Sequence, residues 1–94
     1  MKLNINSIPN KAQEVYFEWH EENGLLIQTD RGKIKVVNHT GAQIWELIDG
    51  VKTVSEISSL LQSNFHAKIP SIHKDLVDFL DQLKSRSLIY LKEE

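Results

Sequence analysis

The chain of 94 residues has no cysteine, which excludes disulfides, thiolate nucleophiles and cysteine-ligated zinc or iron–sulfur centres. A reducing cytoplasm is the expected location. No apolar run is long enough to span a bilayer, and the segment from Met1 to Asn10 alternates polar and apolar residues instead of forming the apolar block of a signal peptide. No membrane partner is expected. Walker sequences, dinucleotide fingerprints and other glycine-rich phosphate cradles are absent as well. The formal net charge of -2 gives no general pull toward polyanions. A chain this short supplies apolar side chains for one core. The expected organisation is a loosely ordered arm over residues 1–13 and a single domain over residues 14–94.

Catalytic constellations are also missing. His20, His39, His66 and His73 fall on different predicted elements and form no short zinc-type pair. His66 and His73 can converge across a turn, but no third ligand stands at helical spacing from both. Ser55, Ser58, Ser59, Ser63, Ser71, Ser85 and Ser87 occupy helix-surface or capping positions, and nothing marks one as reactive. No catalytic residue, metal site or cofactor is expected, and the chain reads as a non-enzyme.

What is present is a pattern of strands followed by helices. Glu14 to His20 is aromatic and β-branched, favouring a first strand, and Glu21-Glu22-Asn23-Gly24 breaks it. Leu25 to Thr29 and Lys33 to Val37 flank Asp30-Arg31-Gly32, a hairpin turn whose glycine supplies positive φ. In the third strand Ile34 and Val36 share one face while Lys33, Lys35 and Val37 share the other, as in a sheet covered on one side.

Thr40 is placed to cap a first helix carrying Ile44, Trp45, Leu47 and Ile48, which Asp49-Gly50 ends. Thr53 and Glu56 have capping-box spacing, opening a second helix that buries Val54, Ile57, Leu60, Leu61 and Phe65. Ile69-Pro70 starts a third, in which Ile72, Leu76, Phe79, Leu80 and Leu83 recur at three- and four-residue steps. Leu88 to Leu91 closes the chain as a short strand or packed tail. The expected fold is α+β: a winged helix-turn-helix with a three-stranded antiparallel sheet followed by three helices.

Two functions fit that architecture. A winged helix can place its last helix in the DNA major groove and act as a transcriptional regulator. Here that helix mixes Asp75, Asp78 and Asp81 with Lys74, Lys84 and Arg86, so it offers little counterion release, and no nucleic-acid partner is expected. The alternative is strand addition, in which the edge of the third strand accepts an extended peptide beside the apolar stripe of the third helix. Lys33 and Lys35 can steer an acidic peptide or protect the edge from aggregation.

The run Asn38-x-Thr40-Gly41-Ala42-x-Ile44-Trp45-x-Leu47-x-Asp49-Gly50, then Thr53-Val54-x-Glu56-Ile57, Leu60-Leu61 and Asp75-Leu76-Val77-x-Phe79-Leu80-x-x-Leu83, closely resembles the PqqD-like family. The resemblance covers about residues 14–91 and keeps order and spacing across three helices. It implies a peptide-recognition element, a chaperone that holds the leader of a ribosomally made precursor peptide and delivers it to modifying enzymes. By position, Lys33, Ile34, Lys35, Val36 and Val37 would offer the edge to an antiparallel leader strand. Asp75, Leu76, Phe79, Leu80 and Leu83 would be candidates for the wall, with core packing taking precedence in the apolar stripe. The pathway implied is lasso-peptide maturation beside a leader peptidase and a cyclase, or pyrroloquinoline quinone synthesis beside a radical SAM enzyme. The Thr-Gly-Ala-x-Ile-Trp form resembles the lasso branch more.

Overall fold

The computed structural model describes residues 3–65 and 72–92. Its elements run β1 (Pro9–Lys11), β2 (Val15–His20), β3 (Asn23–Gln28), β4 (Lys33–Val37), α1 (His39–Leu47), α2 (Val54–Phe65), α3 (Ile72–Ser85) and β5 (Ile89–Leu91). The antiparallel order β2-β3-β4, followed by three helices, is the arrangement expected from the sequence. The expected helix start at Ile69-Pro70 lies outside the described residues, as do His66, Ser71 and the side chains of Phe65, Ile72 and His73.

Register decides which side of the sheet meets the core. Phe17, Leu26 and Lys35 are cross-strand neighbours, and so are Trp19, Gly24 and Val37; both rows face inward, with Leu26 and Val37 buried. The opposite face carries the rows Tyr16, Ile27, Ile34 and Glu18, Leu25, Val36. Two of the three apolar residues of β4 are therefore its solvent-facing pair, with Ile34 63% and Val36 61% exposed. Because side chains alternate with period two, pairing Lys35 to the buried Leu26 forces both outward. The segment Asn23-Gly24 also differs from its expected role as a breaker. Gly24 lies within β3, where a Cβ would meet the Phe17 ring at 2.5 Å and Ala42 at 3.0 Å, so its bareness lets α1 pack onto the sheet.

α1 and α2 each begin on a local hydrogen-bonding device. Asn38, not Thr40, caps α1: its Oδ1 accepts from the Gly41 N–H at 2.8 Å, while Thr40 already lies inside the first turn. At α2 the Thr53 N–H donates to Glu56 Oε1 (2.9 Å) and the Glu56 N–H to Thr53 Oγ1 (3.2 Å), the reciprocal capping box. Ile44, Trp45 and Ile48 meet Val54, Ile57 and Leu61 in the core, whereas Leu60 is exposed. Between α1 and α2, Asp49 accepts from the Val51 and Lys52 N–H groups at 2.9 Å and pairs with Lys52 Nζ at 2.6 Å. The Lys52 side chain first, then these amides, holds the Asp49 carboxyl well below the usual carboxylate range.

The amino-terminal segment departs from the loose arm expected over residues 1–13. β1 pairs antiparallel with β5, Pro9 opposite Leu91 and Lys11 opposite Ile89, and Leu3 is buried in the core. Ser7 and Ile5 carbonyls accept from the Val54 and Ser55 N–H groups at 2.9 and 3.0 Å. Those amides belong to the first turn of α2, which has no acceptors of its own for them. The segment is thus held by the buried Leu3 and Pro9 and by backbone groups, and the latter a polar sequence does not advertise.

Candidate functional site

Among the described residues β4 ends the sheet and pairs only with β3. In an antiparallel ladder alternate residues turn their N–H and C=O away from the partner, so the outer edge of β4 carries unused donors and acceptors. Among the described residues no further backbone bond occupies them. β2 is the other edge of the sheet; beside β4 stands α3.

The two elements run in opposite directions past each other. At one end Gly41 separates them: a Cβ there would lie 3.1 Å from both the Phe79 ring and the Val37 side chain. At the other, Lys33, Ile34 and Lys35 face Ser85, Arg86 and Leu88 across a cleft of about 340 Å³, with Gln28 and Arg31 completing its lining. Gln28 is a buried polar residue, and its Nε2 donates to the Arg86 carbonyl at 3.1 Å. That bond fixes the separation between the end of β3 and the end of α3. Asp78, Asp81 and Gln82 line a shallower depression that Ser85 shares with the cleft.

The mouth of the cleft is positive. Arg31, Lys33, Lys35 and Arg86 have no ion-pair partner among the described residues.

Several of the residues expected at this site lie elsewhere. Leu76, Leu80 and Leu83 are at most 1% exposed and belong to the core, because a helix lying on a sheet spends its apolar stripe there first. Phe79, half-buried against the core, lies at the groove end. Val37 is buried, Lys33 and Lys35 reach the cleft, and Asp75 is exposed in the first turn of α3. Sequence reasoning missed Gln28, Arg31, Ser85, Arg86 and Leu88. The available signal was Gln28, a polar residue at an inward-phased strand position.

Of the described histidines, His20 ends β2 and His39 opens α1. His39 Nδ1 lies 3.1 Å from the Glu22 carbonyl and its ring tilts against Trp19 at 5.5 Å. Among the described residues no group of three or more His, Asp or Glu side chains is placed to hold a metal ion. No described helix is long and apolar enough to cross a membrane.

A sequence profile for the family described as Coenzyme PQQ synthesis protein D (PqqD) matches residues 23–89. No curated protein matches the chain in sequence. Among solved structures it is similar to TbiB1 in complex with the TbiA(beta) leader peptide, with a TM-score of 0.74 and 22% identity over 90% of this chain and 96% of that one. It is likewise similar to a lasso peptide synthetase B1 complexed with the leader peptide, with a TM-score of 0.75 and 14% identity over 88% of this chain and 98% of that one. These likenesses establish the shared fold.

Proposed function

The chain belongs to the PqqD family, and from that premise we propose that it is a non-catalytic carrier that binds the leader of a ribosomally synthesised precursor peptide and presents it to modifying enzymes. One observation supports this most directly: the unoccupied outer edge of β4 lies beside α3, across a groove. An extended leader would pair with the backbone of Lys33, Ile34, Lys35, Val36 and Val37, and Phe79 would be its apolar wall. Leu76, Leu80 and Leu83 serve it indirectly by fixing α3 in the core, and Asp75 complements the helix dipole at its first turn.

Magnitudes favour a mixed mode of recognition. Each added backbone hydrogen bond contributes about 0.5–1.5 kcal/mol net, while ordering a free peptide costs about 1–2 kcal/mol per residue. Backbone pairing alone binds weakly. One or two buried apolar side chains, at about 1.5–3 kcal/mol each, tip the balance and select the sequence. Of the two pathways we favour lasso-peptide maturation, with a leader peptidase and then a cyclase as partners, on the Thr40-Gly41-Ala42-x-Ile44-Trp45 sequence. A radical SAM partner in pyrroloquinoline quinone synthesis is the runner-up.

The test uses Lys35→Pro and Val36→Pro. Of two adjacent strand residues one directs its N–H to β3 and the other outward, so one variant damages the sheet and the other removes an edge donor. Circular dichroism identifies the folded one. Calorimetry with a synthetic leader peptide that the parent chain binds should then show at least tenfold weaker binding. Parental affinity in the folded variant overturns the edge reading.

A further inference from the structure

Resting on the peptide-carrier reading, we propose that the positive mouth formed by Arg31, Lys33, Lys35 and Arg86 is a subsite for a carboxylate side chain of the bound peptide, which fixes the peptide's direction and register along β4. Four cations line one cleft, none with a carboxylate partner among the described residues, in a chain whose net charge is negative. Bringing like charges together is unfavourable unless an anion joins them. The cleft opens at the start of β4, on the path of any added strand.

The surroundings limit that anion to a short acidic feature. Asp78 and Asp81 line the adjoining stretch of α3, so a polyanion continuing past the mouth would meet negative charge. A peptide avoids this conflict, because it can present a carboxylate to the mouth and an uncharged or basic residue to the aspartates.

The groove is also directional. Its apolar end lies at Val37 and Phe79, its positive end at Lys33 and Arg86. A strand added antiparallel to β4 passes the apolar end first, so its acidic residue follows its apolar anchor. Lys33, Lys35 and Val37 share the inward face, and peptide residues on that face recur at every second position. The acid therefore falls two or four residues after the anchor.

A displayed library of random dodecapeptides, selected on the immobilised full chain, tests this without a known leader. Enrichment of Asp or Glu at two or four residues after an aromatic or aliphatic anchor supports the subsite. Enriched apolar peptides with no acidic preference, or with acid before the anchor, overturn it while leaving the edge reading standing. Selection of no peptide overturns both. The best peptide should bind about three- to tenfold more weakly when its acid is changed to Gln, and more so in low salt. Arg31→Gln/Arg86→Gln should weaken the acidic peptide by the same factor and leave the Gln peptide unchanged; equal losses for both peptides overturn the proposal. Arg86→Gln keeps the carbonyl that Gln28 uses. Salt-sensitive binding of a uridine dodecamer at the same mouth, lost in this double variant, would assign it to nucleic acid instead.

Discussion

Gln28 and Arg86 stand 58 positions apart in the chain, yet the Gln28 amide donates to the Arg86 carbonyl at 3.1 Å and closes the floor of the cleft between β4 and α3. Gln28→Met keeps the side chain's length and removes the donor. The expected outcome is a loss of about 0.5–1.5 kcal/mol in a urea melt. Peptide affinity should fall beyond what that loss explains, because the groove mouth is no longer held at one width.

Gly41→Ala probes the other end of the groove. The added methyl meets the Phe79 ring and Val37 at 3.1 Å each. Overpacking costs about 1–3 kcal/mol, against about 1 kcal/mol returned by the better helix former. A net destabilisation of up to about 2 kcal/mol is expected, with a several-fold loss of peptide affinity as the Phe79 ring moves. Unchanged affinity in calorimetry would remove Phe79 from the wall.

Ser87 ends α3 in a left-handed conformation, φ 61°, while its N–H bonds the Lys84 carbonyl and the Leu88 N–H bonds that of Leu83. This is the Schellman arrangement with serine where glycine is preferred. Ser87→Gly should stabilise the protein by about 0.5–1 kcal/mol, seen as a melting temperature several degrees higher.

Acid should weaken the turn between α1 and α2. The Asp49 carboxyl is held below its usual value, so the folded state favours the ionised form, and the stability it contributes is present above the unfolded carboxylate value of about 4. That contribution is lost as pH falls from there toward the lower folded value. Asp49→Asn keeps a side-chain acceptor but not the charge. Its deficit against the parent in thermal melts should be largest at neutral pH and shrink below pH 4; a deficit constant with pH would contradict the assignment.

Features set by neighbours a few positions away were legible in the sequence. The Thr53–Glu56 box, the bounds of β4 and the Gly32 turn, at φ 61°, follow from local spacing and backbone preference. Features set by distant partners were not. Residues 3–11 looked loose because, apart from the isolated Leu3 and Pro9, what holds them is backbone: Ile5 and Ser7 accept from α2, and β1 pairs with β5. The α3 stripe announced burial, but only the neighbours of each residue separate Leu76, Leu80 and Leu83 in the core from Phe79 at the groove. Arg31 and Arg86 meet at one cleft only once the hairpin and the helix end are brought together.

The outward pair Ile34 and Val36 has a consequence for any chain that docks on β4. Both sides of this strand welcome greasy side chains, Phe79 on one and Ile34 and Val36 on the other. A guest shifted by a single residue would therefore still find shelter for its apolar set, and hydrophobicity alone would penalise the slip very little. Correct alignment must then come from a group that only one side can satisfy.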